Sequence, residues 1–199
     1  MIYIAGGFPR TGTSLIMQIL IALGIDPHYS ESREKNMQQL SEKKNYPINK
    51  HGFWEVGSHE WSRLGMTSEI PAGKCVKIQA WGWLVLAPSR CYKIISTDRD
   101  TNDIKNSYIK SFGENEFNSR FNTGNDWPVY YHNLMGHARG IANQMNNIDI
   151  IKVRFNDLFD KTSETIRFIA AFVNVHNEER ILKAVNCIDQ KLRRFNGNG

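Results

Sequence analysis

The chain has 199 residues, 41 % of them hydrophobic and 23 % charged, which fits one globular domain whose core needs no covalent staples. Three cysteines, Cys75, Cys91 and Cys187, are odd in number and widely spaced with no C-x-x-C pair, which argues against a disulfide framework or a structural zinc site and for a reducing, cytoplasmic compartment. The net charge of +5 comes without a Lys/Arg run interleaved with aromatics, which argues against a nucleic acid and makes a small phosphorylated ligand at least as good a reading.

The amino-terminal MIYIAGG lacks the basic start of a signal peptide, and no run approaches a membrane span. Residues 2–5, IYIA, form a short apolar run closed by Gly6-Gly7 and predict a buried strand. The stretch GGFPRTGTS at 6–14 comes next. From Gly7 it fits the phosphate-loop pattern G-x-x-x-x-G-K-[ST], except that Thr13 stands at the lysine position. Residues 14–23 are apolar almost throughout and end at Gly24, which predicts a buried helix with a glycine stop. Strand, glycine turn and helix in that order are the setting that a phosphate loop needs.

Residues 26–63 read as a polar, irregular segment with a short helix near 54–64, a length typical of lids and binding loops. KCVKIQA (74–80) and CYKIISTD (91–98) predict buried strands, and TNDIKNSYIKSF (101–112) predicts a helix stopped by Gly113. A loop over 113–127 leads to a helix over about 128–146 opened by Pro128. A strand over IDIIKVRF (148–155) and helices over about 162–173 and 177–187 precede the tail KLRRFNGNG. Strands alternating with helices predict a single α/β domain over 1–199, three layers (α/β/α) around a mainly parallel sheet.

A helix N-terminus reached through a glycine turn presents N–H groups and a positive dipole end to an anion. Without the lysine that grips a γ-phosphate, but with Thr13, Ser14 and Arg10 beside the N–H groups, the loop suits a donor with a single 5′-phosphate better than a triphosphate with its metal. No carboxylate or histidine cluster suggests a metal site.

PRTGTSLIMQIL resembles the 5′-phosphosulfate loop of sulfotransferases that use 3′-phosphoadenosine 5′-phosphosulfate (PAPS), matched at Pro9, Arg10, Thr11, Gly12, Thr13 and Ser14. YKIISTDRDTNDIKNSYIKSF (92–112) is similar to that family's 3′-phosphate segment, with Arg99 and Asp100 at a strand end and Ser107 eight residues after the arginine. IIKVRFNDLFDKTSETIRFIAAFVN (150–174) resembles the family's late strand, turn and helix, with Phe155 where tyrosine is usual and Asn156 where glutamate is usual. GFWEV and GKCVK resemble its middle region. The likeness is closest to small bacterial-type sulfotransferase domains and runs over most of the chain.

That resemblance implies a fold like the P-loop nucleoside-triphosphate hydrolases and PAPS as co-substrate without a metal. A sulfuryl group would pass to a hydroxyl or amine of a small-molecule or glycan acceptor. It places Pro9, Arg10, Thr11, Gly12, Thr13, Ser14, Arg99 and Ser107 on the nucleotide, with Arg10 and Lys77 steadying the leaving 5′-phosphate. Cytosolic members carry a histidine two residues after the strand lysine, where this chain has Gln79. Other members use a glutamate after the loop helix, a part open to Glu55 in GFWEV. His51 and His59, four residues to either side, are alternatives. Trp54, Trp61, Trp81, Trp83 and Trp127 are candidates for stacking on adenine or an acceptor ring, and Lys191, Arg193 and Arg194 for closing over the 3′-phosphate. Two other readings stay open: a P-loop kinase with Asp98 and Ser14 on magnesium, and a nucleotide-binding relative without turnover.

Overall fold

The computed structural model describes residues 1–43, 70–121 and 126–190. Four strands, β1 (Ile2–Gly7), β2 (Cys75–Gln79), β3 (Tyr92–Asp98) and β4 (Ile148–Arg154), form one sheet in the order β2-β1-β3-β4. Every pairing is parallel, with Ala5 beside Lys77 and Ile95 beside Ile151. The helices are α1 (Thr13–Ala22), α2 (Glu31–Lys43), α3 (Thr101–Phe112), α4 (Glu114–Arg120), α5 (Trp127–Gln144), α6 (Asp157–Asp160), α7 (Thr162–Phe172) and α8 (Glu178–Asn186). A 3-10 turn over Ala80–Val85 follows β2.

Parallel strands need covered faces, and the alternation of side chains along each strand supplies two cores. Ala5, Ile95 and Val153 join Ile16, Leu20, Ile166, Ile169 and Ile181 from α1, α7 and α8. Ile4, Val76, Ile78 and Ile94 join Ile104, Tyr131, Met135 and Ala138 from α3 and α5 on the other face. The fold is therefore α/β, with a helix layer on each side of a parallel sheet. Helix α1 explains its own apolar sequence: Ile16, Met17, Ile19 and Leu20 are wholly buried. Truncating one of them to alanine costs about 2–5 kcal/mol.

Two expectations about the connections need correction. The segment read as irregular from 26 holds helix α2, ESREKNMQQLSEK, from Glu31 onward. That stretch has no sustained apolar stripe, but it is rich in helix formers and carries Glu31 and Glu34 in its first turn, where the dipole favours them. The expected helix near 54–64 lies outside the described residues. The expected loop after Gly113 holds α4, a helix with one buried anchor, Phe117, packed between Tyr108 and Trp127. One apolar residue in seven positions leaves no period to read. Among the described residues, no helix is long and apolar enough to cross a membrane.

Candidate functional site

Strands β1 to β4 end on one edge of the sheet, and the turn over residues 8–12 leads from β1 into α1 at that edge. The turn is pinned from inside. Thr11 Oγ1 donates to the Phe8 carbonyl at 2.7 Å and shares a 2.6 Å hydrogen bond with Thr97 Oγ1, which itself reaches the Gly6 carbonyl at 3.1 Å. Thr11 is fully buried, so its hydroxyl holds the turn together from the core side. Gly12 sits at φ +102°, and a Cβ there would lie 2.5 Å from Cδ2 of Phe155. Only glycine fits on both counts. Because Gly12 has no side chain, it offers α1 no side-chain cap, and no acidic residue occupies the first turn of that helix.

Arg10, at φ +72°, is one of two non-glycine residues in the left-handed region among those described. Such a conformation persists where neighbours hold it, and two of them do. Arg10 Nε donates to Ser107 Oγ on α3 at 3.0 Å, while Arg99 Nη1 donates to the Arg10 carbonyl at 3.2 Å. Arg99 follows β3 directly, and its guanidinium lies 4.2 Å from the centre of the Phe155 ring. Its Nε faces an Asp103 carboxylate oxygen at 3.6 Å. Burial lowers the Arg99 pKa from its ordinary value, and the Asp103 charge opposes that shift. The neighbouring Asp100 turns the other way, where its carboxylate accepts from the Asn102 and Asp103 amides and caps α3.

A lysine of the neighbouring strand stands beside the start of α1. Lys77 of β2 lies on the sheet face that meets α1, and its Nζ donates to Ser14 Oγ at 3.3 Å. It is 6 % exposed, so this cation is held at the start of α1 rather than in solvent. Thr13 beside it is buried as well, and Pro9 is half-buried.

The structure thus brings Arg10, Arg99 and Ser107 together on one side of the turn and Lys77 and Ser14 together at the helix start. Glu55, His51, His59, Trp54, Trp61, Lys191, Arg193 and Arg194 lie outside the described residues. Of the remaining tryptophans, Trp83 is fully buried and donates from Nε1 to the Ile78 carbonyl, and Trp127 donates to the Thr101 carbonyl. These two are packing residues. Trp81 is 41 % exposed and meets the edge of Phe8 at 5.9 Å.

Asp98 has surroundings that the motif left unread. Lys152 Nζ lies 2.6 Å from one carboxylate oxygen, Tyr131 donates to the other at 2.6 Å, and Arg139 stands 3.7 Å away. Burial alone would raise the Asp98 pKa, but hydrogen bonds from Lys152 and Tyr131 and the Arg139 charge outweigh it and hold the carboxyl below its ordinary value. Burial and the Asp98 carboxylate push Tyr131 up. Since Thr97 faces the turn, the period of two aims Asp98 at α5. That signal was present in the sequence once one of the two was placed. Among the described residues, no group of three or more His, Cys, Asp or Glu side chains could hold a metal ion. Comparison with models of known families finds no match, and neither does comparison with curated proteins.

Proposed function

We propose that the protein transfers a sulfuryl group from 3′-phosphoadenosine 5′-phosphosulfate to an acceptor hydroxyl or amine, on a fold of the P-loop type. The observation that carries this reading is the meeting of Arg10 from the turn with Arg99 at the end of β3 and Ser107 of α3, about 90 positions further on, beside an uncapped helix N-terminus. A guanidinium pair with a hydroxyl suits a phosphate dianion, and the α1 amides suit a second one.

In this assignment Arg10, Arg99 and Ser107 serve the ribose 3′-phosphate, which moves Arg10 from the leaving-group role that the motif alone suggested. Lys77, Ser14, Thr13 and the turn amides serve the 5′-phosphate. The acceptor oxygen or nitrogen attacks sulfur, the bond from sulfur to the bridging 5′-phosphate oxygen breaks, and that oxygen keeps the electron pair. Lys77 and the helix dipole stabilise the charge that grows there. The acceptor proton goes to a base, for which Glu55 is the first candidate and His51 and His59 the alternatives.

The kinase alternative needs Asp98 and Ser14 on one magnesium ion. Asp98 instead faces α5, held by Lys152 and Tyr131, while Ser14 is met by Lys77. Thermal unfolding with ligand distinguishes the readings. Adenosine 3′,5′-bisphosphate at 100 times its Kd, without metal, is expected to add about 2.7 kcal/mol of stability. Stabilisation by magnesium ATP alone would point to the kinase. Bisphosphate binding with no sulfate transfer across an acceptor panel would point to a non-catalytic relative.

A further inference from the structure

Phe155 follows β4, and its amide donates to the Asp98 carbonyl at 2.7 Å, which extends the β3–β4 ladder by one residue. Its ring is 7 % exposed and packs edge-on against Phe159 at 5.1 Å. Two contacts set it apart from an ordinary core aromatic. One edge lies so close to the Gly12 backbone that no Cβ fits between them. Its face carries the Arg99 guanidinium at 4.2 Å. The same guanidinium holds the Arg10 carbonyl, and Arg10 holds Ser107. The ring therefore closes a circuit from Gly12 through Phe155, Arg99 and Arg10 back to the turn.

We propose that Phe155 is a positioning residue that couples the two ends of the nucleotide site. Its ring sets the distance between the turn at Gly12 and the Arg99 guanidinium, so that the site reads a ligand with a 3′-phosphate in preference to one without. This inference rests on the nucleotide assignment above. A flat π-face suits a partly desolvated guanidinium and fixes the plane of its fork. An aliphatic side chain of similar bulk fills the space at Gly12 but offers no such face.

The test is titration of the full chain with adenosine 3′,5′-bisphosphate and with adenosine 5′-phosphate, taking the ratio of the two Kd values. Phe155→Leu is expected to lower the preference for the bisphosphate about tenfold, with the monophosphate affinity changed less than about twofold. Phe155→Tyr keeps the ring and is expected to keep the wild-type ratio. Phe155→Met retains volume and serves as the second variant if the leucine substitution does not fold. In an Arg99→Lys background, Phe155→Leu is expected to change the ratio no further, because the coupling passes through the guanidinium.

An unchanged ratio in the leucine or methionine variant overturns the inference, as does an equal loss for both ligands, which is what a purely structural ring would give. Wild-type protein that binds neither nucleotide overturns the sulfotransferase reading and this inference with it. Wild-type preference for the bisphosphate that survives Phe155→Leu overturns this inference alone.

Discussion

Arg10 and Ser107, 97 positions apart, are joined by a 3.0 Å hydrogen bond from Nε to Oγ. The bond ties the turn after β1 to the second turn of α3, and in the function proposed above both residues face the 3′-phosphate. Ser107 is 5 % exposed, so its hydroxyl is committed to this spot. Ser107→Ala is expected to weaken adenosine 3′,5′-bisphosphate binding about 10- to 150-fold, since hydrogen bonds to charged groups contribute about 1.5–3 kcal/mol. Calorimetric titration measures it, and equal affinities would remove Ser107 from the site.

Gly12 carries the steric load of the turn. Alanine there adopts an unfavourable φ of +102° and drives its Cβ into the Phe155 ring. Gly12→Ala is expected to lower unfolding stability by about 2–4 kcal/mol, combining backbone strain with overpacking. Urea unfolding reads the change directly, and a loss under about 0.5 kcal/mol would contradict the contact.

Lys77 is buried against Ser14 at the start of α1. Methionine replaces its packing but not its charge. Lys77→Met is expected to slow sulfuryl transfer about 100- to 1,000-fold, the range for losing one preorganised group at a developing anion. Single-turnover kinetics at saturating donor isolate the step. Normal turnover would reassign the leaving-group cation.

Glu55 is assigned as proton acceptor from the sequence alone. Glu55→Gln is expected to cut turnover about 100-fold or more while bisphosphate affinity stays nearly constant. If turnover holds, His51→Ala and His59→Ala are the next substitutions to assay.

Asp98 titrates below its ordinary value of 3.8 in the folded chain, because Lys152, Tyr131 and Arg139 favour its charged form over the opposing effect of burial. A folded pKa below the unfolded one gives stability that is complete above the unfolded value and lost as pH falls through the folded value. Asp98→Asn is therefore expected to be less stable by about 2 kcal/mol at neutral pH. The gap to wild type should narrow only below about pH 4. Denaturation curves across pH 2 to pH 7 check it, and a gap that is constant down to about pH 2 would show that the carboxylate charge contributes nothing.

Local pattern was enough for the strands and for α1, because each is a short apolar run bounded by glycine or polar residues, as in IYIAGG and CYKIISTD. The stop at Gly113 was equally plain in sequence, whereas the cap at Asp100 came only with the structure. Helices α2 and α4 were not, since ESREKNMQQLSEK has no sustained apolar stripe and ENEFNSR has a single anchor, Phe117. The motif named Arg10, Arg99 and Ser107 as ligand groups, but it could not say which of them touch. It noted Phe155 only as a residue standing where tyrosine is usual, and read its strand and turn as scaffold, because nothing local shows that its ring meets Gly12 and Arg99.

The strands, the helices with an apolar stripe between them and the residue types around the turn were thus determined by the sequence itself, through periods of two and 3.6 that a local window reveals. Only the tertiary structure decided that Lys77 meets Ser14 at the start of α1, that Asp98 turns toward α5, and that Phe155 lies between Gly12 and Arg99. The reason is physical. Each of those meetings depends on the strand order β2-β1-β3-β4 and on which face each side chain takes, and these follow from how distant apolar surfaces pack rather than from any neighbouring residues.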